Sequence, residues 1–224
     1  AEFVSETGNV HVAAGAQIDV SAAAGGDAGT LLVRAAQGTV SLADGGVVGQ
    51  APADADGRRG EGARVAIDTG TLADFSSLNS ALNSGGFDGE RDLRVRSGDV
   101  SVAAGDTVAA HTIRIAADAG AIEVTGTLDA SGGKAGRIEL HAGGDARVLA
   151  GARLASVSTA TGEDGGDIEI GSRAGSVGLA AGGTVELSGG DAARGGRLLL
   201  RAQRSAAEVA VSTLDSTVSG ARQV

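Results

Sequence analysis

Apolar and polar positions alternate along this chain in short runs, each an apolar–x–apolar triplet followed by a glycine-rich corner. The runs include Val10-His11-Val12, Val40-Ser41-Leu42, Val65-Ala66-Ile67, Val100-Ser101-Val102, Ile113-Arg114-Ile115, Ile122-Glu123-Val124 and Val185-Glu186-Leu187. A period of two is the strand period, so the outer side chains of each triplet face a core and the middle one faces water. Gly25-Gly26, Gly132-Gly133, Gly165-Gly166, Gly182-Gly183 and Gly189-Gly190 punctuate the runs and suit sharp corners. The triplets gather in threes. Ile113, Ile122 and Leu128 form one set, then Ile138, Val148 and Leu154, then Ile168, Val177 and Val185; Leu31, Val40 and Val47 form an earlier one.

One phrase opens successive sets: Gly-Arg-Ile-Glu-Leu at 136–140, Gly-Asp-Ile-Glu-Ile at 166–170 and Gly-Arg-Leu-Leu-Leu at 196–200. Recurrence at an interval of this size is the signature of a stacked repeat protein. Three short strands per coil predict an all-β fold, a parallel β-helix of triangular section, with roughly six to seven coils at ~4.8 Å spacing. A series of hairpin sandwiches is the competing fold, and the repetition by threes disfavours it. The whole of 1–224 then reads as one β-helix domain, with 201–224 expected to serve as a C-terminal cap or linker.

Two stretches break the rhythm. Residues 49–63 are polar, hold the single proline, Pro52, and carry Asp54, Asp56, Arg58, Arg59 and Glu61, which predicts an exposed loop bulging from a corner. In 71–90, Leu72, Phe75, Leu78 and Leu82 fall at helical spacing, with Ser76, Ser77, Asn79, Ser80 and Asn83 on the other side. The expectation is a short amphipathic helix over about 73–83, ended by Gly85-Gly86 and lying on a flank over a strip of sheet. Phe75 and Phe87 are its expected anchors. Insertions of this kind are where a repeat scaffold carries function.

Composition sharpens this picture. The chain has 39 Gly and 3 Phe but no Trp, Tyr, Met or Cys, and its apolar fraction of 42% comes almost wholly from Ala, Val, Leu and Ile. Such residues fill a narrow core between short strands. The formal net charge of −10 argues against nucleic acid as a partner and against docking on anionic lipid. No apolar run approaches the ~20 residues of a membrane-spanning helix. Without cysteine there is no disulfide framework, which fits export through an oxidising space. The chain opens Ala1-Glu2-Phe3 and shows no leader pattern, so the expectation is an internal piece of a longer protein.

Candidate chemistry is sparse. On the first strand column the outward positions are Leu32, Ala66, Arg114, Glu139, Glu169 and Leu199; on the third they are Asp19, Asp129, Ala155 and Glu186. Arg114 beside Glu139 is a favourable pair, whereas Glu139 beside Glu169 places like charges together. An adjacent acid pair could serve a glycosidase or hold a cation, but scattered solvated charges explain the same residues. His11, His111 and His141 fall in different coils without the convergence that zinc demands. Gly25-Gly26-Asp27 and Gly165-Gly166-Asp167 resemble pieces of calcium-binding nonapeptides, but the nine-residue recurrence is missing. The expectation is therefore no catalytic, cofactor-binding or metal-binding residue, no cofactor, and no enzyme.

Residues 72–224 resemble the filamentous haemagglutinin family of large exported bacterial proteins. The resemblance rests on Leu-Asn-Ser-Ala-Leu-Asn-Ser-Gly-Gly-Phe (78–87), Ala-Asp-Ala-Gly-Ala-Ile-Glu-Val-Thr-Gly-Thr-Leu-Asp-Ala-Ser-Gly-Gly (117–133) and Leu-Leu-Leu-Arg-Ala (198–202). Residues 8–48 repeat the phrasing more loosely. Ala155 and Gln203 depart from the family pattern. The resemblance implies a right-handed parallel β-helix within an adhesin-like exoprotein, exported by two-partner secretion through an outer-membrane barrel. It implies a secreted or cell-surface location and a host-cell or glycan receptor. End-to-end self-association through open strand edges is a further expectation. The alternative function is that of a polysaccharide-binding or polysaccharide-degrading β-helix, although the lack of Trp and Tyr weakens a glycan platform.

Overall fold

The computed structural model describes residues 1–191, 193–205 and 208–222. It is a parallel β-helix with one short α-helix, and its contacts divide it into two units, Ala1–Arg96 and Ser97–Val224.

Unit 2 is the more regular. Its first face stacks Thr112–Ala117, Arg137–Ala142, Asp167–Ser172 and Arg197–Arg201, all parallel. Its second face stacks Val100–Val102, Ile122–Val124, Ala146–Val148, Val177–Leu179 and Val211–Leu214. Its third stacks Thr107–Ala109, Thr127–Asp129, Arg153–Ala155, Thr184–Glu186 and Thr217–Ser219. Ile138, Ile168 and Leu198 are successive partners, the register that the repeated phrase predicts, and Ile113 precedes them in the same file. Ile113, Ile138, Leu128, Leu154 and Val185 are fully buried. Each rung thus places an aliphatic side chain on the one below, and burial of apolar area supplies the driving force.

The second face corrects one alignment. Ile122 pairs with Ala146 and Val124 with Val148, so the inward file beneath Ile122 passes through an alanine and not through Val148. Alanine is buried here because it fits the narrow section, but its mild hydropathy hides it in a pattern search.

The opening glycine of the repeated phrase has a steric cause. A Cβ at Gly136 would collide with the carbonyl oxygen of His111, one at Gly166 with that of Gly136, and one at Gly196 with that of Gly166. These corners stack backbone on backbone, and any side chain would push the coils apart.

In unit 1 the first face stacks Glu2–Ser5, the leading half of Thr30–Leu42, Arg64–Thr71 and Glu90–Val95. Val10–Val12 pairs with Val40–Leu42 on the second face, and Ile18–Asp19 with Val47–Val48 on the third. After Arg64–Thr71 no second and third strands follow in this unit. The helix α1, Phe75–Gly85, stands in their place and packs against Val47–Val48 and the Thr30–Leu42 strand.

Asp74 caps α1 by accepting from the Ser77 amide at 2.9 Å, and Gly86, at φ 78°, closes it. Leu78 and Leu82 are buried as the spacing predicts, and Ala81 is buried beside them. Phe87 is fully buried, as an anchor should be. Phe75 is only half-buried, and Asn79, expected on the polar side, is buried.

One clamp recurs in both units where the third strand ends. Asp19 accepts from the Ser21 amide at 2.8 Å while Ser21 Oγ accepts from Gln50 N at 3.1 Å. Asp129 accepts from the Ser131 amide at 2.9 Å while Ser131 Oγ accepts from Val157 N at 3.1 Å. The carboxylate fixes the corner and the hydroxyl ties it to the next coil.

The stretch 201–224 carries further strands in its described part: a short antiparallel pair, Arg204–Ser205 with Glu208–Val209, then the two last strands of the second and third faces.

Candidate functional site

Outward side chains of the strands form files up each face, and most charged members are paired between coils. In unit 2, Glu139 accepts from Arg114 at 2.8 Å and from Arg137 at 2.8 Å. Arg137 also reaches Asp167 at 3.1 Å, and Arg197 lies 3.6 Å from the same carboxylate. The like charges Glu139 and Glu169 are indeed cross-strand partners. Each has its own cation, since Glu169 pairs with Arg201 at 3.2 Å. Burial pushes the Glu139 carboxyl up, but its bonds to Arg137 and Arg114 bring it below the ordinary value. Glu139 is therefore ionised at neutral pH and has no proton to give a leaving group.

The third face repeats the device. Arg153 spans Asp129 at 3.2 Å and Glu186 at 2.7 Å, bridging the coils on either side of its own, with Ala155 buried between the two acids in the file. On the second face Arg147 binds Glu123 at 3.0 Å and also Asp145.

The other sequence candidates scatter. His11 Nδ1 lies 2.6 Å from Ser41 Oγ on an exposed surface, and His111 and His141 are exposed in other coils. Asp27 accepts from the Glu61 amide at 2.8 Å, and Asp167 is engaged by the two arginines above, so both aspartates of the Gly-Gly-Asp phrases hold protein groups. Among the described residues no group of three or more His, Asp or Glu could hold a metal ion.

The 49–63 insertion is an exposed loop with a rooted base. Ala51 is buried, and Arg59 Nε donates to its carbonyl at 2.8 Å while the guanidinium also binds Asp88. Asp54 accepts from the amides of Asp56 and Arg58 and closes the tip. The loop bonds back to the preceding corner through Ala22 N to Gln50 O, Gly25 N to Pro52 O and Ala28 N to Glu61 O. The side chain of Arg58, beside this tip, is 82% exposed.

An open trough of about 280 Å³ lies on the first face of unit 1. One wall is the file Glu2, Leu32, Ala66, Asp92; the other is Val4, Arg34, Asp68, Arg94. Ala66 supplies the depth. Arg96 binds Asp68 with two bonds of 2.6 and 2.7 Å, and this bond holds the Asp68 carboxyl below the usual range, with Arg94 and Arg34 adding to it against a cost of burial.

Beneath α1 lies a group that charge patterning does not reveal. Arg91 is a cross-strand partner of Val65, itself a partner of Leu31, so it occupies an inward file. It is only 5% exposed. Its Nε donates to Phe87 O at 2.7 Å and its Nη1 to Asn79 Oδ1 at 2.9 Å. Burial pulls the guanidinium down to about 10, opposed by the charge of Asp88. The parity of Arg91-x-Leu93-x-Val95 was the available signal, and it conflicts with the rule that charges face water.

No family model, no curated protein and no solved structure matches this chain.

Proposed function

We propose that this chain is a structural and display segment of a secreted, adhesin-like bacterial exoprotein of the filamentous haemagglutinin kind. One observation carries the reading: outward charges pair between coils, as in Arg114–Glu139 and Arg137–Asp167, while aliphatic files run beneath them. Such a surface stiffens and solubilises a stacked scaffold, and exposed insertions remain for recognition. On this reading the chain leaves the cell by two-partner secretion, through an outer-membrane barrel, and stays at the bacterial surface or is released. Its receptor is a host-cell protein or glycan, met by sheet faces, by the 49–63 loop and by the outer side of α1, where Ser77, Ser80, Asn83 and Ser84 are exposed. The same reading includes end-to-end self-association of such segments through strand edges.

Adhesion of the purified chain to cultured epithelial cells and to a glycan array tests the reading. Binding should fall when the loop tip 54–58 is replaced by a short glycine linker, or when Ser77 and Ser80 are changed to Glu. Undiminished binding of both variants, or no binding by the parent, contradicts it.

The trough beside Ala66 favours a second reading, polysaccharide binding. Carboxylates and guanidinium groups over an apolar floor can take sugar hydroxyls. Ala66→Leu fills the trough and should abolish glycan retention without touching either insertion; retention unchanged sinks this alternative.

A further inference from the structure

A cation at an inward position and a helix in place of two strands occur in the same part of unit 1. The Val40–Leu42 and Val47–Val48 strands each have one neighbour on their own face, Val10–Val12 and Ile18–Asp19. On their other side comes α1. Gly49 N donates to Gly85 O at 2.7 Å, and a Cβ at Gly85 would collide with Val47 O, so the helix end sits directly on this edge. Val40, Leu42 and Val47 are buried. Phe87 fills the space beside Gly49 and is fully buried.

Nothing in the helix pairs this edge along its length as a strand would. What fixes it is Arg91, whose two bonds tie the first face to the helix interior at Asn79 and to the post-helical chain at Phe87. A buried guanidinium that loses an acceptor is costly, so the helix is held in one seat. The uncovered edge would present unpaired backbone groups in a Val-x-Leu strand. The chain itself carries phrases that fit: Val10-His11-Val12 pairs in parallel with the opposite edge of Val40–Leu42, and Val100-Ser101-Val102 has the same alternation.

We propose that α1 is an edge guard clipped in place by Arg91, and that releasing the clip turns unit 1 into an acceptor for a strand of a second copy of this chain. Arg91 is a positioning residue in this scheme. The matched double variant Asn79→Leu with Arg91→Leu removes the clip without leaving a buried charge unpaired.

Hydrogen exchange read residue by residue is the first measurement, and light scattering over a concentration series is the second. In the double variant the α1 amides and the Gly49 amide should lose protection together by about ten- to hundredfold, the loss of a charge-assisted bond. The 64–71 strand should keep its protection, and the mass should rise with concentration beyond that of the parent. Unchanged protection of Gly49 and α1 overturns the proposal, and so does release without any rise in mass. Should the double variant fail to fold by circular dichroism, Asp74→Ala loosens the same helix from its exposed cap. There protection of α1 and Gly49 should fall about fivefold with the same gain in association, and absence of either effect overturns the proposal equally.

Discussion

In unit 2 the leading inward file of the first face reads Ile113, Ile138, Ile168, Leu198; in unit 1 the leading file reads Leu31, Val65, Arg91. Where the file is aliphatic throughout, each coil is a template for the next, and three strands follow in turn. Where a guanidinium enters it, the neighbouring structure must provide acceptors, and a helix supplies them through Asn79 and the chain behind it. A repeat scaffold tolerates an irregular coil when the irregularity brings its own polar partners. Ion pairs differ in the same sense. Those of unit 2 lie on the surface and link coils with small individual effect, whereas Arg91 is buried and its acceptor is indispensable.

The largest effects should come from the cores. Phe87→Ala removes the fully buried ring behind α1 and should cost about 3–5 kcal/mol. Denaturant unfolding followed by exchange should place that loss in unit 1. Ile168→Ala should cost about 2–5 kcal/mol and place its loss in unit 2. If the two variants weaken the same amides equally, the contrast between the units fails.

Next comes the stacked corner. Gly166→Ala should destabilise unit 2 by about 1–3 kcal/mol, because the backbone of Gly136 occupies the space a Cβ would need. A thermal midpoint equal to the parent's would contradict the close stacking of coils.

Acid should act through the paired carboxylates. The folded Asp68, Asp145 and Asp164 carboxyls all lie below the ordinary 3.8: the Arg96 bond is the main cause at Asp68, and the Ser176 and Arg194 amides at Asp145 and Asp164. A carboxyl lowered on folding gives stability that is complete above its unfolded value and is lost as pH falls through the folded one. Stability should hold from neutral pH to about pH 4, by the unfolded carboxylate values, and then decline. Asp68→Asn should flatten the part of that decline that belongs to unit 1. The smallest effect is expected from Arg153→Met, within about 1 kcal/mol, since a partly exposed ion pair contributes little. A loss several times larger would mean that the surface pairs and not the aliphatic files hold unit 2 together.

How far the fold was legible depended on residue type. Ile, Val and Leu at alternate positions announced the inward files, and glycine announced the corners, because both follow from strand period and steric access. Ala146 did not announce itself, and the second-face register was misread by two residues as a result. The helix was legible from Leu78 and Leu82, but its seat was not. Asn79 looked like a solvent residue until Arg91 gave it a partner, and both depend on contacts between segments that spacing does not encode. Ala51 was read as part of an open loop because Pro52, Asp54 and Arg58 surround it, yet it is buried. Among the candidate site residues, the Arg114–Glu139 pair was readable from register alone. The bridging by Arg137 and Arg153 required side chains long enough to cross coils.

The central claim, that successive phrases stack as parallel in-register rungs, has a direct test, and the absence of cysteine makes it clean. Nitroxide labels would be placed on cysteines introduced at Arg114 and in turn at Glu139, Glu169 and Leu199, outward partners on successive first-face strands. Their separations should grow in equal steps of ~4.8 Å, reaching about 14 Å for the last pair. Separations that do not rise in that order, or that jump between Glu139 and Glu169, would contradict the ladder and everything built on it.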